Sequence, residues 1–156
     1  YNETVKLAVN LGKRKSITED DIENFIGISK EFNVFELQSA FGQKNLTKTV
    51  QIIQYFESNP KAGPIQMILP ALFNFFSRVY MLYSLRGADS QTQATQLGVQ
   101  PYFLNEYQSS AQKYSFQQIE RALLLIHHYN LKSVGIHQAK STDADLMKEL
   151  AVKIML

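Results

Sequence analysis

The sequence predicts an all-α fold, and three observations predict it. Apolar residues recur at three- and four-residue spacing in each strongly patterned segment. No run of β-branched residues alternates with polar ones. The punctuation is that of helices, with Ser, Thr or Asp ahead of a segment and Gly behind it. At 156 residues, with 45% hydrophobic residues, ten Phe and eight Tyr against 19% charged residues, the chain can bury a sizeable core and is not expected to be disordered.

Taken in order, the first helix is predicted over Asn2 to Leu11, with Val5, Leu7, Ala8 and Leu11 apolar and Gly12 as its stop. Lys13, Arg14 and Lys15 then make a short basic turn. Thr18 with Asp21 resembles an N-terminal capping box ahead of a short helix carrying Ile22, Phe25 and Ile26, which ends near Gly27. Ile28 to Asn33 reads as a connector and places a domain boundary between residues 1–29 and 33–156.

Beyond Asn33 a larger helical unit is expected. A short helix over Val34 to Phe41 ends at Gly42, and an amphipathic one over Leu46 to Ser58 carries Leu46, Val50, Ile52, Ile53 and Phe56 on one side. Pro64 opens a long helix to Arg86, with Pro70 kinking it or marking its true start. Its polar residues Gln66, Asn74, Ser77, Arg78 and Ser84 fall in one stripe, so most of its circumference is expected to be buried, as suits a central helix. The apolar run from Met67 to Phe73 falls far short of the ~20 residues of a membrane span.

Asp89 or Ser90 caps a short helix through Leu97 that Gly98 closes. Pro101 starts the next, to Lys113, with Tyr102, Phe103, Tyr107 and Ala111 as its apolar side. Ser115 and Gln118 form a capping-box pair before a helix to Lys132, lined by Phe116, Ile119, Ala122, Leu123, Ile126 and Tyr129. After a loop from Gly135 to Ser141, Thr142 and Asp145 cap a last helix with Leu146, Met147, Leu150, Ala151 and Ile154 as its stripe.

The residues offer little chemistry. No Gly-rich loop ending in Gly-Lys-Ser/Thr is present to cradle phosphates, so neither ATP binding nor hydrolysis is expected, and no cofactor is implied. His127 and His128 are adjacent and diverge by ~100° on a helix, the wrong spacing for a helical metal pair, and His137 has no Cys or carboxylate pair nearby. The acidic groups Glu19, Asp20, Asp21 and Asp143, Asp145 lie at predicted helix N-termini, where capping and the helix dipole account for them. No catalytic or metal-ligating residue is expected. The formal charge is +2, too small to imply nucleic acid, and the absence of Cys suits a reducing cytoplasm. Lys13, Arg14 and Lys15 are the candidate phosphate contact. Apolar side chains at helix rims point instead to docking of partner proteins.

The order of segments resembles the delta subunit of the bacterial DNA polymerase III clamp loader, of Bacteroidetes type. The resemblance rests on Ile17-Thr18-Glu19-Asp20-Asp21-Ile22, Phe32-Asn33-Val34-Phe35-Glu36-Leu37, Asn59-Pro60-Lys61 and Asn74-Phe75-Phe76-Ser77. Leu97-Gly98-Val99, Pro101-Tyr102-Phe103 and Asp145-Leu146-Met147-Lys148-Glu149-Leu150 continue it. The resemblance implies that residues 1–29 are the end of an AAA+ helical lid and that residues 33–156 are a collar-type helical bundle joining a ring of subunits. It implies a non-catalytic part of a DNA polymerase holoenzyme, with the tau or gamma and delta-prime subunits as partners. The sliding clamp would be touched only by an N-terminal domain that this chain, beginning at Tyr1 without Met, is expected to lack. DNA would be met in the whole complex and weakly or not at all by this fragment. The competing expectation is an independent helical adaptor that binds nucleic acid through the basic turn and the aromatics.

Overall fold

The computed structural model describes residues 31–135 and 141–156. The expectations for the lid segment, the Lys13-Arg14-Lys15 turn, the Glu19-Asp20-Asp21 triplet and His137 lie outside these residues. Among the described residues there are seven helices and no strand: α1 (Val34–Gly42), α2 (Leu46–Ser58), α3 (Ile65–Ser84), α4 (Ser90–Leu97), α5 (Pro101–Lys113), α6 (Phe116–Ser133) and α7 (Asp143–Met155).

Five of the seven starts carry a side-chain cap. Asn33 accepts from the Glu36 backbone N–H at 2.9 Å, Asn45 from Lys48 at 3.1 Å, Asp89 from Thr92 at 2.7 Å and Thr142 from Asp145 at 3.1 Å. At α6 the box is complete: Ser115 accepts from the Gln118 N–H at 3.2 Å, while the Gln118 side chain accepts from the Ser115 N–H at 2.8 Å. Gly98 ends α4 at φ +69°, a left-handed conformation that glycine adopts without a Cβ penalty.

α3 is the central helix, packing against α1, α4, α5 and α6, while α7 closes the far side against α2 and α6. Phe75 and Phe76 on α3, Phe41 on α1, Ile119 on α6 and Leu150 on α7 are buried in one continuous core. α1 and α5 run parallel. Ser39 donates to Glu106, the Gly42 backbone faces the Ser110 hydroxyl, and Lys44 Nζ reaches the Lys113 carbonyl at 3.5 Å. A Cβ on Gly42 would stand 2.7 Å from both Phe75 Cζ and Ser110 Oγ, so only glycine lets α1, α3 and α5 approach this closely.

Three expectations about faces need correction. α3 buries eight of its twenty residues rather than most of its circumference, and its outward side carries Met67, Phe73 and Met81 as well as polar groups. That side is exposed because none of the described helices packs over it. Pro70 lies inside α3 and does not start it; its missing N–H forfeits one bond, to the carbonyl of Gln66, and both residues are exposed, so water can serve that carbonyl. On α5 the inward set is Leu104, Tyr107 and Ser110, with Tyr102 and Phe103 turned outward. Although α3 is long and apolar enough to cross a membrane by length and composition alone, its buried face packs against four helices of this bundle.

Candidate interaction surface

α3 and α6 lie antiparallel. At one end Tyr80 stacks on Phe116, with ring centroids 4.9 Å apart and planes 29° from parallel. At the other, Pro70, Phe73 and Asn74 face Ile126, His127 and Asn130 across a cleft of about 270 Å³. Beside the stacked pair, Met81, Tyr83, Ser84 and Arg86 complete a second depression of about 530 Å³. The outward side of α3 therefore forms an apolar seam with α6, on which Phe73 is 44% exposed and Met81 43%. Solvation of these side chains is unfavourable by ~25 cal/mol for each Å² that a partner would cover.

A second apolar group sits where α1 and α5 begin. Phe35 is 74% exposed and Tyr102 85%, and Phe103 packs edge-on against Tyr102 at 5.1 Å. Phe35, Glu36, Ser39 and Lys48 help line a shallow cleft of about 400 Å³ on α1 and α2.

The remaining polar groups serve the fold. The Tyr83 hydroxyl donates to the carbonyls of Ala111 and Tyr114, tying α3 to the end of α5. Burial pushes the Tyr83 phenol up, and Arg86 beside it pulls the other way. Tyr129 of α6 is fully buried, and burial pushes its phenol up. Lys132 and Lys153 stand 4.8 and 5.4 Å from its ring centre, and Lys153 pairs with Glu149 at 3.1 Å. This cluster joins α6 to α7.

His127 and His128 are both exposed on α6; His127 faces the seam, and the His128 ring stands perpendicular to Tyr129 at 5.7 Å. Among the described residues no three His, Cys, Asp or Glu side chains gather where a metal ion could be held. Asp143 and Asp145 occupy the first turn of α7, and Asp143 lines a cleft of about 420 Å³ with Glu57, Pro60 and Met147. The exposure of Tyr102 and Phe103 was missed by sequence reasoning that took aromatics as core. The signal available was the Leu104, Tyr107, Ser110, Ala111 spacing, which leaves the first turn of α5 outside.

Comparison with known proteins adds two findings. The profile of the family described as DNA polymerase III delta subunit, C-terminal domain, matches residues 31–151. The structure is similar to that of the Bacillus subtilis DNA clamp loader delta protein, with a TM-score of 0.62 at 20% identity over 99% of this chain and 44% of that protein. The chain thus spans less than half the length of that relative. A search of curated protein sequences finds no match.

Proposed function

Because this chain belongs to the DNA polymerase III delta subunit family through its C-terminal domain, we propose that residues 33–156 form the collar through which the subunit assembles with the other subunits of a clamp loader. In this reading residues 1–29 are the end of the AAA+ lid, and the partners are the tau or gamma and delta-prime subunits. The assembled machine places the sliding clamp on DNA in chromosomal replication, in the cytoplasm, with this subunit as a non-catalytic component. Contact with the clamp belongs to the rest of the longer subunit.

The observation that carries the reading is the apolar seam of α3 and α6. Helical domains that stand side by side bury such faces, and Met67, Phe73 and Met81 are exposed on the one side of the central helix that no described helix covers. A standard interface of ~1,600 Å² sets no fixed affinity, so one neighbour alone binds weakly and several together bind by avidity.

The test is a pull-down with this chain as bait, offering the sliding clamp and the remaining loader subunits separately and together. Loader subunits are expected to be retained, most strongly in the mixture, and Phe73→Ser with Met81→Ser to reduce that retention while the helical spectrum is unchanged. Recovery of the clamp alone, with no loader subunit under any mixture, reverses the assignment.

A further inference from the structure

The second exposed group, at the start of α1 and α5, has a composition different from the seam. The parallel register is fixed by Ser39 against Glu106, an offset of 67 positions. The same offset sets Phe35 and Glu36 level with Tyr102 and Phe103. Three outward aromatic rings and two carboxylates, Glu36 and Glu106, therefore share one end of the bundle. Glu106 accepts from the Ser39 hydroxyl. One carboxylate oxygen of Glu36, Oε2, is screened from solvent and meets no hydrogen-bond donor. Among the described residues the ion pairs are Lys148 with Glu57 and Lys153 with Glu149, so neither Glu36 nor Glu106 is neutralised within the bundle. Lys48, from α2, is the one cation lining the neighbouring cleft.

We propose that this end of the bundle is a second docking surface, and that it takes an arginine-bearing segment of a neighbouring loader subunit. The inference rests on the assembly reading above and adds the chemistry of one contact. A guanidinium satisfies both parts of the site: its plane stacks on an aromatic face, and its fork of N–H donors pairs with the Glu36 and Glu106 carboxylates, which no cation of the bundle neutralises among the described residues. A lysine supplies charge without the flat face. Nucleic acid is disfavoured, because two carboxylates beside the rings repel phosphate.

The experiment uses the full-length subunit and its remaining loader subunits. Glu36→Lys and Tyr102→Ser are made separately, with melting curves to establish that both fold; Tyr102 is 85% exposed, so its loss leaves the core untouched. Each is expected to weaken assembly about tenfold or more, the loss expected of a contact worth ~1.4 kcal/mol. Benzoylphenylalanine in place of Tyr102 is expected to cross-link to an arginine-bearing segment, and changing that arginine to Glu is expected to restore assembly to Glu36→Lys. Wild-type assembly that Glu36→Lys and Tyr102→Ser match overturns this inference while sparing the assembly reading. A wild-type subunit that joins no loader subunit overturns both. Cross-links to primed DNA in place of protein overturn the choice of occupant.

Discussion

The Tyr114 hydroxyl donates a 2.6 Å hydrogen bond to the carbonyl of Phe41, joining the end of α5 to the end of α1 across 73 positions of sequence. Both residues are buried, and Lys44 Nζ stands 5.0 Å from the Tyr114 ring centre. Replacing Tyr114 by Phe keeps the ring and removes this bond, while the carbonyl keeps the Lys44 backbone N–H at 3.0 Å, so the cost is about 0.5–1.5 kcal/mol. The melting temperature of Tyr114→Phe should fall by about 2–4 °C per kcal/mol, with the helical spectrum retained. An unchanged melting temperature would mean that the Lys44 N–H alone satisfies this carbonyl.

The same residue predicts a dependence on alkaline pH. Burial pushes the Tyr114 phenol well above the usual tyrosine range. The folded state therefore keeps its proton where the unfolded chain has released it. The resulting stability is fully present below about pH 10 and is lost as pH rises beyond that. Denaturant midpoints measured from pH 8 to pH 11 should fall more steeply for the wild type than for Tyr114→Phe. Parallel slopes would assign the alkaline loss to other groups.

Gly42→Ala forces a methyl to within 2.7 Å of Phe75 Cζ and Ser110 Oγ. Overpacking of this kind costs about 1–3 kcal/mol, more than the small gain that alanine brings to a helix. Pairing the change with Ser110→Ala removes the Oγ and relieves one of the two clashes, so the double variant should recover part of the loss in a chemical melt. A stabilised Gly42→Ala would show that Phe75 can rotate away.

At the start of α6, Ser115→Ala removes one arm of the reciprocal capping pair with Gln118. The expected cost is about 1 kcal/mol. Ser115→Asp supplies an equivalent acceptor and should restore most of it. Equal stability of the alanine and aspartate variants would place the energy of this helix start in the packing of Phe116 on Tyr80 instead.

Helix positions were legible in the sequence because their signals are local. Asp89, Ser115 and Thr142 each bond a backbone N–H three residues on, and Gly98 ends its helix through its own conformation. Which way an aromatic points is not local. Tyr102 and Phe103 read like Tyr107, yet Tyr107 packs against Phe75 at 5.0 Å while Tyr102 lies open, a difference set by where α3 passes. The seam on α3 was half-legible for the same reason. Met67 and Met81 belong to an apolar helix, and only the placement of the other helices leaves them outside. The Glu36 carboxylate at the α1 and α5 end gives no pattern in sequence at all.

The packing of α2 against α7 makes the bundle close only when its last described helix is made. A ribosome adding ~5–20 residues per second finishes α2 on the order of several seconds before α7 exists. Throughout that interval Ile53 and Phe56, which face Ala144 and Met147 in the finished fold, have no cover from the C-terminal helix. The nascent bundle therefore keeps an apolar face open until α7 is made. Emergence of α7, rather than of the first helices, is the event that completes its core.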